Sequence, residues 1–299
     1  MSRRTKFMDR IAMGALARVP KNAASRVFGA LSDLELPTPV QSTVNRGFAA
    51  AYGIDVSEAS EPITHYRSLN QFFTRRLGER ARPIRATGSM DVTSPVDGVL
   101  TQLGYLEDDS LVQAKGKEYR LVELLDSAEE ARRFAGGAWA TVYLSPSDYH
   151  RIHAPVEGVA TKVSYIPGQL WPVNPLSVRS VDRLFAVNER VVVFIDVPEM
   201  GRVAVIMIGA TCVGRISLAF HGLKANQSFR RRQDIDLTRQ VELTQGDELA
   251  VFNLGSTVVL LFEKGGFRFG SELIDGQAIQ MGQPLGSWIG SGEIEAEEE

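Results

Sequence analysis

The sequence predicts an α+β fold, with a helical N-terminal part over residues 1–90 and a compact, mainly antiparallel β domain over residues 91–299. In the first third of the chain, apolar residues recur every four positions, which is the spacing of one helix face. From about residue 92 they form short runs rich in β-branched side chains, bounded by glycine, proline or charge, as buried strands are. Few helical patterns interrupt these runs, which favours separate helical and β parts.

The predicted helices of the N-terminal part have clear start and stop signals. Thr38-Pro39 is a cap followed by a proline in the first turn, and Gly53 ends this helix. Ser68 begins a second, short helix, and residues 120–135 predict one more. The apolar positions are Val40, Val44, Phe48 and Tyr52 in the first helix and Leu69, Phe72, Phe73 and Leu77, expected to point inward, in the second. The arginines of the second segment, expected to face water or lipid head groups, are Arg75, Arg76 and Arg80.

The clearest strand predictions come from three apolar runs, at residues 191–195, 203–208 and 257–262. A short repeat predicts two further strands. Residues 94–101 and 154–161 share the pattern Pro-Val-acid-Gly-Val, which suits a turn that leads into a strand. Lipoyl-carrier domains use similar segments, so a duplicated lipoyl-carrier-like β unit is predicted. The acid is Asp97 in the first copy and Glu157 in the second, so the turn alone does not explain why an acid stands there.

Composition excludes several classes of protein. The 299 residues are 44% hydrophobic with a net charge of −3, which does not indicate a nucleic-acid partner. Cys212 is the single cysteine, so no internal disulfide can form, and this fits a reducing compartment. No apolar run reaches the roughly 18 residues of a bilayer-spanning helix, and the N-terminus lacks the features of a secretory signal.

Positive charge is concentrated at the N-terminus. Residues 1–31 carry seven basic side chains against one acidic side chain, with apolar residues between them at helical spacing. A basic amphipathic segment of this kind can lie on an anionic membrane surface. The alternative is a solvated helix that packs on its own domain.

Histidine is scarce, and two of the four, His150 and His153, stand in one motif at residues 148–155, Asp-Tyr-His-Arg-Ile-His-Ala-Pro. A zinc site would need a third protein ligand, and the sequence offers only Cys212 or His221 without any supporting pattern. Two structural histidines are a second alternative. We favour acid–base chemistry, because histidine titrates near neutral pH, and we expect no metal.

A second motif, Asn-Leu-Gly-Ser-Thr at residues 253–257, directly precedes an apolar run. On its own, Gly-Ser-Thr before a strand is an ordinary turn, and the Gly-x-Ser-x-Gly pattern of hydrolases is absent. Its combination with a scarce histidine pair and the acid of a Pro-Val-Asp-Gly turn, all in one β domain, indicates a catalytic site.

These motifs together resemble the phosphatidylserine decarboxylase proenzymes of the bacterial, membrane-associated type. The specific pair is Asp-Tyr-His-Arg-x-His-x-Pro at residues 148–155 and Leu-Gly-Ser-Thr at residues 254–257. Ala250 departs from the family pattern, which has glycine there, and we expect this to affect local packing and not the catalytic groups. The other matches, in family order over roughly residues 60–270, are residues 72–77 with 82–83, 94–98, 144–147, 165–168 with 173–174, and 213–216.

The resemblance implies that Ser256 attacks the carbonyl of Gly255, with His153 as the base and Asp97 orienting that base. Cleavage between Gly255 and Ser256 gives a β chain of residues 1–255 and an α chain of residues 256–299, and turns Ser256 into a pyruvoyl group. This group, without pyridoxal phosphate or metal, condenses with the amine of phosphatidylserine as carbon dioxide departs. His150 is then the candidate proton donor, and phosphatidylethanolamine is the product.

The same resemblance implies where the protein works. Its substrate stays in the membrane, so we expect a peripheral protein at the cytoplasmic face of the cell membrane, docked by the basic N-terminal helices and by Phe72-Phe73. The two cleaved chains are expected to form a heterodimer, with further dimerisation left open. The side chains that either line a lipid-facing mouth or belong to the core are Tyr165, Leu170 and Trp171.

From the residues alone, three other functions remain open. They are a Ser-His-Asp lipid hydrolase, a non-catalytic carrier-like β module, and a phosphocarrier phosphorylated on His150 or His153. Asp97 has its own alternative as a turn acid bonded to local backbone. A denaturing gel separates the decarboxylase from these functions, because only the decarboxylase splits itself near residue 255.

Overall fold

The computed structural model describes residues 20–86, 88, 90–114, 117–198, 200–211, 215–226, 231–253, 256–265 and 267–288. The predictions that concern residues 1–19, Cys212, Leu254 and Gly255 lie outside the described residues. Within them, helices combine with mainly antiparallel sheets, which confirms the predicted α+β class.

The two N-terminal helices bury polar side chains and expose apolar ones. Helix α1 spans Lys21–Ser32, and helix α2 spans Thr38–Tyr52 and ends, as predicted, at Gly53 in the left-handed conformation (φ 69°). The apolar side chains that these helices and their connection expose are Val27, Phe28, Leu31, Leu34, Leu36, Val40, Val44 and Tyr52, which together we call the apolar helix surface.

Hydrogen bonds satisfy the buried polar face of α2. The Gln41 side chain donates to the Asn45 side-chain oxygen across 2.8 Å, and the Asn45 amide donates to the Tyr66 carbonyl across 3.2 Å. Buried amides are tolerated when they are bonded in this way. The inner surface of α2 is therefore fixed by specific polar contacts together with Phe48 and Ala49, while Val40, Val44 and Tyr52 face outward.

Two 3₁₀ turns, Val56–Glu58 and Ile63–His65, lead to the short helix α3, Leu69–Phe73. Phe72 and Phe73 are fully buried, so the prediction that they point inward is confirmed and the prediction that they dock on a membrane is wrong. Arg75 was expected to face water or lipid, and this is also wrong: it is buried, and its Nη2 donates to the Ser147 carbonyl across 3.1 Å. A five-residue helix is oriented by what it packs against, and here both aromatic rings pack inward.

An antiparallel sheet of eight strands forms the centre of the β part. Its strands are β2 (Gly98–Tyr105), β5 (Ala138–Leu144), β7 (Gly158–Ile166), β8 (Arg190–Val197), β9 (Gly201–Ile208), β11 (Gln233–Leu243), β13 (Ser256–Phe262) and β15 (Gln277–Ile279). In space they follow the order β11-β7-β8-β9-β13-β5-β2-β15. The three predicted apolar runs become β8, β9 and β13, which are neighbours, and they are apolar throughout because both of their faces are covered.

Smaller sheets flank the central one. One has the order β1 (Asp91–Thr93), β16 (Pro284–Trp288), β14 (Phe267–Phe269), and another has the order β10 (Ile216–Leu218), β12 (Glu248–Phe252), β6 (Arg151–His153). The hairpin β3 (Ser110–Ala114) and β4 (Lys117–Arg120) completes the strands described. The sheet that contains β6 and β12 carries His153, and the chain connects these two strands to β5 and β13 of the central sheet.

The predicted helix over residues 120–135 is two helices, α4 (Leu121–Leu125) and α5 (Ala128–Phe134). Asp126 takes the left-handed conformation (φ 49°) and ends α4. The Ser127 hydroxyl oxygen then accepts a hydrogen bond from the Glu130 amide across 3.3 Å and caps the start of α5. Two further short helices, α6 (Pro175–Ser180) and α7 (Leu184–Val187), lie between β7 and β8.

Most of the buried side chains form one core between the sheets and their covering helices, and Ala49, Ile54, Tyr66 and Phe72 form a smaller one in the helical part. Tyr165 and Leu170 are fully buried, which agrees with the core alternative for both. Trp171 is partly buried, and the Lys21 ammonium lies 3.7 Å from its ring centroid. In the described ranges, no helix combines the length and the apolar character needed to cross a membrane.

Candidate active site

Two connections bring the motifs of the sequence together. Residues 145–150 join β5 to β6, and residues 253–255 join β12 to β13. Because β5 pairs with β13 and β6 pairs with β12, both connections cross between the same two sheets. The Phe252 amide donates to the His150 carbonyl across 2.9 Å. The histidine motif therefore lies beside the segment that leads to Ser256.

His153 is engaged at both ring nitrogens. Its Nδ1 lies 2.7 Å from the Gly246 carbonyl, which can only accept, so Nδ1 carries the hydrogen. Nε2 is then the acceptor in the neutral ring, and the Tyr149 hydroxyl donates to it across 3.0 Å. Burial lowers the pKa of His153, so the ring is neutral at pH 7. His153 has the tautomer of a base, with its basic nitrogen covered by Tyr149.

Asp97 is bonded to Arg82 and not to His153. Its Oδ1 accepts from Arg82 Nε (2.8 Å) and from the Met281 amide (2.9 Å), and its Oδ2 accepts from Arg82 Nη2 (2.6 Å). The same arginine binds Glu58 through Nη1 (2.8 Å) and Nη2 (2.9 Å). A fork of this kind holds a carboxylate in a defined orientation.

The backbone nevertheless places the Asp97 turn against β6. The His153 amide donates to the Pro95 carbonyl across 2.9 Å, and the Asp97 charge acts on the His153 ring through space as one of the lesser influences on its pKa. Asp97 is buried whereas its repeat counterpart Glu157 is exposed, so the two acids have different surroundings. Bonding to Arg82 and Met281 distinguishes Asp97 from an acid that only closes its own turn.

His150 is fully buried, and its ring centroid lies 4.0 Å from that of Phe73. Its Nδ1 donates to the Asp148 carbonyl across 2.8 Å, so Nε2 carries the lone pair, and among the described residues this nitrogen has no hydrogen-bond partner. Burial lowers the pKa of His150 to about 3, and the charge of Arg75 acts in the same direction. His150 is therefore neutral, and its Nε2 is ready to accept a proton.

Ser256 is the first residue of β13 and is fully buried. It pairs with Leu144, the last residue of β5, and its hydroxyl donates to the Ile208 carbonyl in β9. The hydroxyl hydrogen therefore points to a carbonyl and not to an imidazole. The structure thus pairs Ser256 with the strand from which the histidine loop departs, and the hydrogen bonds described for Ser256, His150 and His153 go to other residues.

A cavity of about 240 Å³ lies on the face of the central sheet that Thr257 lines, and the side chain of Ser256, the preceding residue of β13, points to the opposite face. Strands β5 and β13 supply Thr141 and Thr257, whose buried hydroxyls have no hydrogen-bond partner in the part of the chain that the structure describes. Arg179 of α6 lines the cavity and is exposed to solvent. The apolar side chains that line it are Val173, Val178 and Phe185, with Pro175.

Several contacts in the site have no signal in the sequence. The His153–Gly246 bond joins residues 93 positions apart, and no local pattern indicates it. Tyr149 and Arg82 stand in recognised motifs, but only the fold shows what each one binds. As for metals, the described part of the chain contains no group of three or more His, Cys, Asp or Glu side chains arranged as ligands.

Comparison with known proteins assigns the family. The family model for phosphatidylserine decarboxylase matches residues 69–287. A phosphatidylserine decarboxylase proenzyme of Anaeromyxobacter sp. (strain K) is 46% identical over 284 residues, covering 93% of this chain and 98% of the relative. Proteins of the same name from Myxococcus xanthus (strain DK1622) and Brevibacillus brevis are 42% and 40% identical, and cover 93% and 91% of this chain and 98% and 96% of their own lengths. The chain belongs to the phosphatidylserine decarboxylase family, which confirms the resemblance.

Proposed function

We propose that this chain is a proenzyme that cuts itself between Gly255 and Ser256 and then converts phosphatidylserine to phosphatidylethanolamine and carbon dioxide. The observation that carries the proposal is the pairing of Ser256 with the strand from which the histidine loop departs. Family membership supports the reaction, since the relatives are decarboxylase proenzymes by name.

For self-cleavage, the Ser256 oxygen attacks the Gly255 carbonyl while a base takes the hydroxyl hydrogen. The resulting ester eliminates to leave a carboxylate on Gly255 and a dehydroalanine at position 256, and water then replaces the nitrogen, which leaves as ammonia. We assign the base to His153 and its support to Asp97. This assignment requires the Tyr149 hydroxyl to leave Nε2 and the Ser256 hydroxyl to leave the Ile208 carbonyl.

The product at position 256 is a pyruvoyl group, whose ketone supplies the electron sink that an added cofactor supplies elsewhere. Neither pyridoxal phosphate nor a metal is part of the proposal. The buried start of β13 suits a reactive ketone because water is kept away from it.

We assign the later proton transfer to His150. The unoccupied Nε2 of this ring is available to take up a proton, and a neutral imidazole must do so before it can deliver one to carbon. An anion bound nearby raises the pKa of an imidazole and so favours its protonated form. Substrate binding is therefore expected to prepare His150 for its role as donor.

We also propose that the protein docks on the cytoplasmic face of a membrane, as a peripheral protein, through the apolar helix surface. Val27 (61% exposed), Leu31 (59%) and Val40 (51%) are among the apolar side chains that this surface exposes to solvent. A large exposed apolar patch is typical of a surface that binds a membrane or another protein. Exposed Arg26 and Arg46 on the same helices add attraction to anionic lipid.

The proposed organisation is a helical part, residues 1–90, on a β domain, residues 91–299, with the two repeat segments as a duplicated β unit. In support, both copies of the repeat lead into strands that begin with glycine, at Gly98 and Gly158. After cleavage, residues 1–255 and 256–299 stay together as a heterodimer.

Intact-mass spectrometry of purified, active protein tests the proposal. We expect two chains that meet at residues 255 and 256, the smaller with a pyruvoyl group in place of an amino terminus, and a Ser256→Ala variant that stays whole. An active preparation made only of the uncut 299-residue chain would overturn it.

A further inference from the structure

Arg75 carries a buried positive charge that has no ion-pair partner in the part of the chain that the structure describes. The residue is 4% exposed, and within the described ranges its Nε and Nη1 atoms have no hydrogen-bond partner. Only Nη2 is bonded, to the Ser147 carbonyl across 3.1 Å. The carboxylates of Asp97 and Glu58 act on Arg75 through space while both are bonded to Arg82. A buried charged donor is costly without an acceptor. The described residues supply none for Nε and Nη1 of Arg75, so the guanidinium has room for an anionic partner from outside the fold.

The unpaired guanidinium belongs to the candidate active site. Ser147, its one acceptor, lies on the loop that also carries His150, and the charge of Arg75 acts on the His150 ring. Helix α3 brings the two groups into one buried region through its adjacent aromatic residues. The Arg75 Cζ atom lies 5.7 Å from the ring centroid of Phe72, and the ring centroids of His150 and Phe73 are 4.0 Å apart. The His150 Nε2 atom is unpaired as well. A cation and a free imidazole nitrogen therefore share this region.

Resting on the proposed function, we propose that Arg75 binds the carboxylate of the serine head group of the substrate. An ionised carboxylate both neutralises a guanidinium and supplies acceptors to its N–H groups. The carbon that loses this carboxylate is the carbon that His150 later serves, so the group that binds the carboxylate belongs near His150. The phosphate of the lipid is the other anion available, but the serine Cβ and an ester oxygen separate it from that carbon.

Reductive trapping distinguishes the two anions. Cleaved protein is mixed with cyanoborohydride and with vesicles of either phosphatidylserine or phosphatidylethanolamine. Intact mass then measures the initial rate at which lipid becomes attached to residue 256. For phosphatidylserine, the adducts reduced before and after loss of carbon dioxide are both counted. Phosphatidylethanolamine has the amine and the phosphate but no carboxylate. The proteins compared are wild type, Arg75→Gln, Arg75→Lys, and the control Arg76→Gln, whose exposed side chain pairs with Glu248 across 3.3 Å.

We expect Arg75→Gln to slow the trapping of phosphatidylserine about tenfold or more at low lipid concentration, as loss of a charged hydrogen bond does, and to leave phosphatidylethanolamine unchanged. Arg75→Lys should give an intermediate rate, and Arg76→Gln the wild-type rates. Equal losses with both lipids would assign Arg75 to the phosphate and overturn the proposal. Unchanged trapping, or loss of self-cleavage in both Arg75 variants, would overturn it too. Failure of the proposed function looks different, because wild-type protein would then form no adduct with either lipid.

Discussion

At the scale of single residues, the two histidines of the motif differ in what their basic nitrogen contacts. The Tyr149 hydroxyl donates to Nε2 of His153, whereas Nε2 of His150 has no hydrogen-bond partner among the residues that the structure describes. If His153 is the base for self-cleavage, His153→Ala should slow cleavage by roughly 10²–10⁴-fold, the usual contribution of a general base. Asp97→Asn should slow it as well, because the charge that supports the His153 imidazolium is lost.

His150→Ala should behave differently and give a cleaved protein that decarboxylates slowly. A time course on denaturing gels measures cleavage, and carbon dioxide release measures the second reaction. If His150→Ala blocks cleavage and His153→Ala permits it, the two roles are exchanged.

Acid should destabilise the fold through the same rings. The pKa of His150 falls from 6.5 to about 3 on folding, so between these values the unfolded chain holds a proton that the folded chain does not. Stability from this group is complete above pH 6.5 and falls by about 1.4 kcal/mol for each pH unit below it. His153 shifts in the same direction and adds to the loss.

Guanidinium unfolding of the uncut Ser256→Ala protein at pH 7.5 and pH 5.5 measures this effect, with Ser256→Ala/His150→Asn as the comparison. The single variant should lose about 1.4 kcal/mol more than the double variant between the two pH values. Equal losses would show that His150 is not buried in the neutral form.

At the scale of elements, the N-terminal helices have the polar and apolar faces of an ordinary amphipathic helix but in the opposite orientation. Replacing Val27 and Leu31 with aspartate should weaken binding to vesicles that contain anionic lipid by about tenfold or more, since each buried aliphatic side chain contributes about 1.5–3 kcal/mol. Self-cleavage should continue, because both side chains point away from the fold.

The matched control is Ile274→Asp, since Ile274 is equally exposed (66%) but lies outside these helices. Co-sedimentation with vesicles at low and high salt measures binding. Equal binding by all three proteins would place the membrane contact elsewhere. Deleting residues 1–31 is a weaker test, because it also removes Lys21 from Trp171 and the Asn22 side chain from the Gly168 carbonyl, to which it donates across 3.0 Å.

Sequence patterns predicted the elements whose character is local. Runs of β-branched residues are strands wherever they fall, so β8, β9 and β13 were all predictable. Periodicity in α2 identified a helix and its two faces, but not which face meets the protein, because that depends on residues far away such as Tyr66.

The roles predicted for Asp97, His150, His153 and Ser256 stay predictions, and the fold adds contacts that the motifs do not indicate. It pairs Ser256 with Leu144, the residue from which the histidine loop departs, and bonds the Phe252 amide to the His150 carbonyl. The partner of Asp97 could not be predicted, because Arg82 reaches it from another segment of the chain. Arg75 was assigned to the surface for a similar reason, since charge suggests exposure and only the packing of α3 shows burial.

At the scale of the whole molecule, the proposed cut lies at the start of a central strand. β13 is bonded to β9 on one side and to β5 on the other, and Val258–Phe262 are fully buried. Burial of these five apolar side chains contributes on the order of 10 kcal/mol, so the two chains should not separate in native buffer.

Gel filtration of cleaved protein should therefore give one peak that contains both chains, and separate chains only in denaturant. Light scattering on the same column reports whether two such units associate further. Elution of the smaller chain by itself without denaturant would contradict the assigned place of β13 in the sheet.

The burial of Ser256 at the start of a central strand has a consequence for quality control in the cell. No protease can reach a fully buried serine, so if cleavage occurs there it must be performed by the completed fold. A copy that misfolds keeps its serine and never acquires its reactive ketone. The fraction of uncut chain in a population then measures the molecules that have not finished folding. A destabilising substitution in the sheet therefore lowers the yield of active enzyme before it changes the decarboxylation rate of the molecules that are cleaved.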